Sequence, residues 1–465
     1  MANTRAEVVT SAVEKSTIKK VSIRLVPFVA LMFFINYLDR SAIGFAGPNG
    51  MNDDLALSVT QVGFASGVFF IGYILLEVPS NLALARFGAR RWLARIMVTW
   101  GIVAVLFTWT SSFEHLAILR FALGVAEAGF FPGAILFLSL WVPARHRGKI
   151  LALFYLAQPL TTVIGAPLAG LLIGAHGFLG LEGWRVMFLG VGIPAIIVGI
   201  VAWFYLKDKP SDAKWLTRDE QEWLTAELDA EKTKTESLNV VKGEQKGGLR
   251  AAFSSGRVWI LAFIYFGFIY GLYTLAFFLP TIISGFQEIY GVEYNVFEKG
   301  LITAIPYIPA AIALWLWTKD VSKRGLKTWH IAGPAIVAAL TVPLALFAGS
   351  PALTIAIIAL TAMAIFAVLP NFWTLPTQFL TGAAAAAGVA LINTVGNLAG
   401  FSAPYITGAV ADATKNPAGE PQYFVPMAIV GFFMLLSAVL MVILSRLRST
   451  RLIEQESAVN AVPTH

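Results

Sequence analysis

Five ionisable side chains stand inside apolar stretches of the first half of the sequence, namely Asp39, Arg40, Glu77, Arg120 and Glu127. An ionisable residue within a membrane-spanning helix costs ~2.5–3.5 kcal/mol on insertion, so it persists where it faces a cavity, a partner or a ligand. An arginine in such a place can bind a carboxylate through two parallel hydrogen bonds, and a buried carboxylate can bind and release protons. Asp39 and Arg40 are adjacent and lie ~100° apart on a helix, so each needs a partner of its own.

The spacing of these residues predicts which of them meet. Arg120 and Glu127 are seven residues apart, which places them within ~20° of one helix face, with the small Gly124 and Ala128 along the same side. With a rise of ~1.5 Å per residue, Asp39 and Arg120 both lie about 22 Å above the inner surface, so we expect an ion pair between them. Glu127 is expected about 10 Å lower, which leaves room for a ligand between it and Arg40.

Arg40 is the residue that most requires a ligand. The interiors of the second-half apolar stretches contain no carboxylate to neutralise it, and an unpaired buried arginine is too costly to persist. A carboxylate held by the guanidinium would remove that cost. The Asp39–Arg120 pair could instead be purely structural and hold two helices in register. Glu77 fits a structural role and a role at an inner gate equally well.

The composition places the chain among membrane proteins. Of its 465 residues 57% are hydrophobic and 13% are charged, whereas a soluble domain has about 25% charged residues. The net charge of +7 is explained by basic loops, so we expect no nucleic-acid partner. The chain has no cysteine, its histidines are scattered, and no GxxxxGK phosphate loop occurs. We therefore expect no enzyme, no ATP-driven protein, no metal site and no cofactor.

Twelve apolar stretches are long enough to cross a hydrocarbon core of ~30 Å. They cover residues 25–46, 61–83, 92–110, 115–141, 149–175, 184–206, 257–284, 298–318, 329–348, 352–370, 386–411 and 423–445. Basic residues concentrate in alternate loops, so the positive-inside rule places both termini in the cytoplasm of an inner-membrane protein. The polar start of the chain lacks the pattern of a cleaved signal peptide, so the first span is expected to be retained. The predicted fold class is an all-α membrane protein with 12 transmembrane helices.

The two halves of the chain are related. The segment from Arg86 to Trp92 resembles the segment from Lys323 to Trp329 with an offset of 237 residues, and the same offset relates Pro167 to Pro404. Two parallel repeats of six spans are the plan of many secondary transporters. We predict an N-terminal tail at 1–24, a six-helix bundle at 25–206, a cytoplasmic linker at 207–256, a second six-helix bundle at 257–446 and a tail at 447–465. Within the linker, the pattern from Trp215 to Glu231 predicts an amphipathic helix on the inner membrane surface, as a solvated connection rather than a regulatory element.

The second half offers polar and aromatic side chains in place of charges. Asn393 and Asn397 lie one turn apart on one helix face, as hydrogen-bond donors around a cavity would. Single membrane tyrosines are more often anchors or packing residues than ligand contacts. The candidates in this half are Tyr265, Tyr270, Tyr273, Tyr307, Trp373, Gln378, Asn393 and Asn397.

Four motifs resemble the anion:cation symporter branch of the major facilitator superfamily. They are Tyr37-Leu38-Asp39-Arg40, Phe69 to Tyr73 followed by Glu77-Val78-Pro79-Ser80-Asn81, Arg120-Phe121 to Glu127-Ala128-Gly129-Phe130-Phe131-Pro132, and Ala390-Leu391-Ile392-Asn393. This branch includes bacterial proton symporters for tartrate, galactonate, glucarate, phthalate and hydroxyphenylacetate. The resemblance covers all the predicted spans and implies the major facilitator fold, with two pseudo-symmetric six-helix bundles.

The resemblance also implies roles for particular residues. Arg40 is expected to bind the substrate carboxylate. Asp39 and Glu127 are expected to be the protonatable carboxylates, with Arg120 tuning Asp39. The residues expected to line the same cavity are Tyr37, Tyr73, Gln158, Tyr265, Trp373 and Asn393, and Tyr265 stands where some members have glutamine.

Two cytoplasmic turns depart from the superfamily pattern. The turn between spans 2 and 3 has Ala85 where an aspartate is usual, and the turn between spans 8 and 9 has Ser322-Lys323-Arg324 in place of an Asp-Arg pair. The acids used in the superfamily's gating salt bridges are therefore absent from their usual positions.

These observations together predict a proton-coupled importer of a small organic carboxylate that works by rocking of two halves in a lipid bilayer. Its partners would be the organic anion and protons, and sugar acids, tartrate and aromatic acids all fit. A sodium-coupled carrier or anion exchanger on the same fold is an alternative, as is a non-transporting membrane sensor. An exporter of hydrophobic compounds is disfavoured by the deep Arg40.

Overall fold

The computed structural model describes residues 2–241, 253–376, 382–417 and 419–460 of the chain, so the predicted candidate Gln378 lies outside the described residues. Every regular element in these ranges is a helix, which confirms the predicted all-α class. The longer helices are α1 (Ala2–Ala46), α2 (Val59–Phe87), α3 (Ala89–Leu106), α4 (Phe113–Glu127), α5 (Phe130–Ser139), α6 (Ala144–Gly174), α7 (Gly183–Tyr205), α8 (Arg218–Val241), α9 (Gly256–Ser284), α10 (Val296–Ala304), α11 (Tyr307–Arg324), α12 (Trp329–Leu344), α13 (Pro351–Phe372), α14 (Gly382–Ala413) and α15 (Phe424–Asn460).

Eleven helical stretches of the described residues are long and apolar enough to cross a membrane. They correspond to the first ten predicted spans and the last one. The remaining predicted span, 386–411, is also helical and forms most of the 32-residue α14. Asn393 and Asn397, together with several glycines, reduce the hydropathy of that helix, because amides and glycine contribute little to hydrocarbon transfer.

The predicted fourth span, 115–141, is not one continuous helix. It is interrupted after Glu127, where α4 ends, and Gly129 has φ 84° before α5 begins. Pro132 explains the interruption, because a proline ring clashes with the carbonyl group four residues earlier, here that of Ala128. Gly129 can adopt the left-handed conformation that joins the two pieces without a side-chain penalty. The break places the Glu127 carboxylate at a helix end.

Two compact units are present in the chain. The first comprises Met1–Glu244 and Phe277–Ala304, and the second comprises Gln245–Ala276 and Ile305–His465. In the first unit α2 packs on α4, α3 on α7, and α6 on α10. In the second unit α13 packs on α11 and α12, and α12 also packs on α15. The predicted bundle boundaries at 25–206 and 257–446 stay predictions.

Glycines allow α2 and α4 to approach closely. A Cβ atom at Gly124 would lie 1.9 Å from the carbonyl oxygen of Phe69, and a Cβ atom at Gly72 would lie 2.4 Å from that of Phe121. The prediction that Gly124 permits close helix approach is therefore confirmed. The consequence for function is that Arg120, one turn away on α4, is pressed against the backbone of α2.

The linker contains the predicted helix, although α8 begins at Arg218 and continues to Val241. Its apolar side is buried, with Leu224 fully enclosed, and it packs on the N-terminal half of α1. Lys20 of α1 forms an ion pair with Glu220 at 2.8 Å, and two arginines of α6 form further ion pairs with α8, Arg145–Glu227 at 3.3 Å and Arg147–Glu231 at 2.9 Å. The helix is thus a packed part of the first unit.

Glu220 is the most strongly held acid of this contact. Its carboxylate accepts hydrogen bonds from the Lys20 ammonium at 2.8 Å, the Ser16 hydroxyl at 2.6 Å and the backbone N–H of Thr217 at 2.9 Å. Burial acts to raise the pKa of Glu220, but these hydrogen bonds outweigh burial and lower the pKa to about 2.

Candidate functional site

The centre of the candidate site is the fully buried carboxylate of Glu127 at the end of α4. Its Oε1 atom accepts hydrogen bonds from Arg40 Nη2 at 2.6 Å and from Arg40 Nε at 3.2 Å. The same oxygen accepts a third hydrogen bond from the side-chain amide of Asn36. Glu127 Oε2 is buried and has no hydrogen-bond partner among the described residues. Only one of the two carboxylate oxygens is therefore hydrogen-bonded.

Helix α1 supplies both donors because Asn36 and Arg40 are four residues apart and lie on one face. The Arg40 side chain retains 13% of its exposure, whereas that of Glu127 retains 1%. The arginine therefore connects a buried acid with a more accessible region. The predicted gap between Arg40 and Glu127 is absent in this arrangement, because the long guanidinium side chain spans it.

Asp39 is buried at 1% exposure, and neither of its carboxylate oxygens has a hydrogen-bond partner in the described part of the chain. The predicted Asp39–Arg120 pair is not hydrogen-bonded in this conformation, because both Asp39 oxygens and Arg120 Nη1 lack a hydrogen-bond partner among the described residues, although the two buried charges attract each other. Arg120 instead donates from Nε to the carbonyl oxygen of Ala65 and from Nη2 to that of Ser66, both at 3.2 Å. The close α2–α4 contact directs two of the Arg120 N–H groups to the α2 backbone and not to Asp39.

Aromatic rings surround the two arginines. The Arg40 guanidinium carbon lies 4.9 Å from the Phe69 ring centroid, 5.3 Å from that of Tyr73 and 5.9 Å from that of Phe70. The Arg120 guanidinium carbon lies 5.2 Å from the same Phe69 ring. Cation–π attraction stabilises both charges in a region that water reaches poorly. The predicted site residue Tyr73 therefore contacts Arg40.

Two further predicted residues of the first unit are not among the groups that hold Glu127. Tyr37 is buried at 4% exposure on α1, with its ring centroid 6.3 Å from that of Phe33. Gln158 lies half-buried on α6. Glu77 is half-buried on α2, and its backbone carbonyl accepts a hydrogen bond from the Asn81 amide at 2.9 Å.

The second unit brings its predicted site residues close to one another. The Tyr265 ring of α9 lies 4.9 Å from the Trp373 ring and 5.0 Å from the Phe372 ring at the end of α13. A Cβ atom at Gly396 of α14 would lie 2.3 Å from the Tyr265 ring, so that ring lies directly on the α14 backbone. Asn393 precedes Gly396 by three residues and is half-buried on the same helix. Tyr265 and Trp373 thus contact each other, and Asn393 lies about one helical turn before the glycine that the Tyr265 ring covers.

Carboxylates at other positions pair with the basic residues of the two turns that lack the superfamily's usual acid. Asp208, just after α7, accepts a hydrogen bond from the Arg90 backbone N–H at 2.9 Å, and its carboxylate lies 3.6 Å from the Arg90 guanidinium. In the second unit Asp320 pairs with Arg324 at 2.9 Å and with His330 at 3.0 Å. Neither acid stands at the usual position in its turn, so the superfamily pattern does not predict these contacts.

Asn36 and Phe69 are the site residues that sequence reasoning missed. Phe69 stands inside a motif already noted, and Asn36 precedes another motif and lies about one helical turn before Arg40, which was an available signal. The complete arrangement can do two things. Arg40 can exchange one carboxylate partner for another, and Asp39 offers a second buried carboxyl group whose oxygens have no hydrogen-bond partner among the described residues.

Comparison with known proteins supplies the family. The model of the Major Facilitator Superfamily matches residues 29–404. A protein of Agrobacterium vitis named "Putative tartrate transporter" is 44% identical over 438 residues, which are 94% of this chain and 96% of that protein. The "Quinolone resistance transporter" of Acinetobacter baumannii is 38% identical over 87% of this chain and 91% of its own length. A bacterial homolog of the human lysosomal transporter Spinster, solved in an inward-facing and occupied conformation, has the same fold: its TM-score is 0.67, with 18% identity over 90% of this chain and 96% of that chain.

Proposed function

The chain belongs to the major facilitator superfamily, and on that basis we propose that it is a proton-coupled importer of a small organic carboxylate. Membership of this family makes it a multi-pass membrane transporter and not an enzyme. The proposal goes further than the family in three respects: the carboxylate substrate, the proton as coupling ion, and the inward direction.

The observation that carries the proposal is the buried Arg40–Glu127 pair. A guanidinium is well suited to hold a substrate carboxylate, and here it is held by a carboxylate of the protein. The substrate and Glu127 therefore compete for Arg40. Protonation of Glu127 removes its charge, weakens its bond to Arg40 and makes the guanidinium available to the anion. Proton binding and substrate binding are thereby coupled at one side chain.

The transport cycle follows from this competition. Asp39 and Glu127 bind protons while the site is open to the outside, and Arg40 then captures the anion. The transporter reorients with the anion and the protons bound. On the inner side the substrate leaves, the carboxyl groups release their protons, and Arg40 returns to Glu127. A bare Arg40 does not persist in the buried site, because an unpaired buried charge is too costly.

The substrate class is supported by the relatives and by the charge of Arg40. Two relatives of Agrobacterium vitis, each 44% identical to this chain, are named for tartrate, which is a hydroxy acid with two carboxylates. The resemblance assigns Tyr265, Trp373 and Asn393 to the same cavity, where the phenol, indole and amide would bind hydroxyl groups of such an acid. Tartrate and related hydroxy acids are accordingly the first substrates to test.

The test is uptake by proteoliposomes offered labelled tartrate, a sugar acid and an aromatic acid under an imposed inward proton gradient. We expect accumulation of one acid that disappears in Arg40→Ala. Glu127→Gln should retain exchange of internal for external acid at equal pH and lose accumulation. Glu114→Gln is the matched control, since Glu114 is an exposed acid at the start of the same helix. Accumulation driven by sodium instead, or undiminished in Glu127→Gln, would refute the proton coupling.

A further inference from the structure

The two oxygens of the Glu127 carboxylate have different surroundings. Oε1 accepts hydrogen bonds from two nitrogens of Arg40 and from the amide of Asn36. Oε2 is buried without any partner in the described residues. Asn36 is itself only 1% exposed, so its amide does not exchange this bond for one to bulk water. One oxygen of the Glu127 carboxylate is therefore hydrogen-bonded and the other is not.

We propose that Asn36 is a positioning residue that holds Glu127 in place while Arg40 is released, and that Glu127 binds its proton at Oε2. This inference rests on the proposed proton-coupled function and deepens it. In this assignment Asn36 takes part in coupling, Oε1 of Glu127 remains hydrogen-bonded to Asn36, and Oε2 binds the proton.

The chemistry of the carboxyl group leads to this assignment. Protonation at Oε1 would displace one of the N–H groups that already point at it, whereas protonation at Oε2 displaces nothing. Once Oε2 carries the proton, Oε1 is the carbonyl oxygen of a neutral acid. Its bond to Arg40 then loses the attraction between opposite charges, but a neutral amide still bonds well to a neutral carbonyl.

The lengths of the two donor side chains explain why only one of them can leave. Arg40 has a long flexible side chain that can turn toward another anion, while the short side chain of Asn36 stays with the α1 backbone. An amide is also uncharged and does not titrate, so it donates to Glu127 in both protonation states. Without Asn36, neutral Glu127 would be free to take other rotamers, and Arg40 would not find it again in the same place.

Difference infrared spectra of the purified protein between alkaline and acidic buffer test the assignment directly. The band of the neutral Glu127 carboxyl group is identified by its loss in Glu127→Gln. Loss of a hydrogen bond to a carbonyl oxygen raises its stretching frequency, so Asn36→Ala should shift this band upward. Asn36→Gln, which retains an amide, should return part of the shift. Asn49→Ala is the control, because the Asn49 amide donates to the carbonyl oxygen of Phe45 at the end of the same helix, and it should not move the band.

The transport arm uses proteoliposomes and labelled tartrate. Proton-driven accumulation should fall about ten- to hundredfold in Asn36→Ala, the range expected for a hydrogen bond to a charged group, with partial rescue in Asn36→Gln. Exchange at equal pH should fall less, because it does not require Glu127 to lose and regain Arg40 through a full proton cycle.

The outcomes separate the two proposals, and the infrared arm does not depend on which acid is carried. A Glu127 band at the wild-type frequency in Asn36→Ala would overturn the role of Asn36 and leave proton coupling standing. Absence of any Glu127-dependent band in the wild type would instead overturn proton uptake by Glu127, and with it the proposed coupling. The amide bands of each variant report whether its helices have formed.

Discussion

Replacing Arg40 by alanine should destabilise the protein more when Glu127 is present than when glutamine has replaced it. The pair is buried, with the guanidinium and carboxylate 2.6 Å apart and side-chain exposures of 13% and 1%. Removing one partner of a buried pair leaves a charge without compensation and costs about 3–5 kcal/mol. We therefore expect Arg40→Ala to reduce the free energy of unfolding by about that amount.

Part of this loss has nothing to do with Glu127. Arg40 also lies over the rings of Phe69 and Tyr73, and such cation–π contacts contribute about 0.5–2 kcal/mol. A double-mutant cycle with Glu127→Gln removes this contribution, because the ring contacts are lost with and without the acid. We expect a coupling free energy of about 2–3 kcal/mol between the two residues.

Reversible unfolding in mixed detergent micelles at mildly alkaline pH gives the free energy of unfolding of the wild type, the two single variants and the double variant. The exposed Arg218–Glu222 pair on α8 is the matched control, since its 2.8 Å distance is similar but its side chains are 89% and 66% exposed. That control cycle should show a much smaller coupling, because solvent and salt screen an exposed ion pair. Additivity of Arg40→Ala and Glu127→Gln within about 0.5 kcal/mol would refute the reasoning that the buried pair is what holds each side chain.

Three further outcomes are expected. Gly129→Ala should lower the unfolding temperature, because an L side chain is strained at φ 84° and its Cβ would lie 2.6 Å from the Ser80 hydroxyl. The control is Gly180→Ala, at φ 71° with open space around it, which should lower the unfolding temperature less. Equal decreases in the two variants would contradict the role of the clash. Glu220 should stabilise the packing of α8 above pH 4.5 and lose this contribution as the pH falls toward 2, since its pKa is lowered on folding. Tryptophan fluorescence during acid titration measures the loss of this packing. A fluorescence profile of Glu220→Gln identical to that of the wild type would contradict the role of Glu220. Arg40→Lys should weaken carboxylate binding at least about tenfold although the charge is kept, because lysine cannot donate the two parallel hydrogen bonds of a guanidinium. Wild-type affinity of this variant in a competition assay would show that two parallel hydrogen bonds are not required.

Most of the membrane fold could be predicted from the sequence, because a bilayer forces each span to be a long apolar run that is visible locally. The two features that hydropathy did not predict, the interruption of the fourth span and the low hydropathy of α14, also have local causes. The interruption after Glu127 is encoded by Gly129 and Pro132, yet an apolar run continues across it, so hydropathy alone does not reveal it. The lower hydropathy of α14 comes from the same amides that make it a candidate for substrate contact.

The candidate site was predicted less completely. The unusual residues of the spans, Asp39, Arg40, Arg120 and Glu127, could be found from their cost in a membrane, and the structure places Arg40 and Glu127 in direct contact. Their pairing could not be found in that way. Asn36 escaped notice because an uncharged amide in a span carries a weaker signal than a charge.

By itself the sequence determined which stretches are apolar enough to span a membrane and which residues share a helix face, since these follow from hydropathy and helix geometry. Only the tertiary structure decided which groups touch. Depth is one coordinate, and contact also depends on how helices are rotated and how closely they approach. The contact at Gly72 and Gly124 directs Arg120 to the α2 backbone, and the end of α4 at Glu127 brings that acid to Arg40 and Asn36.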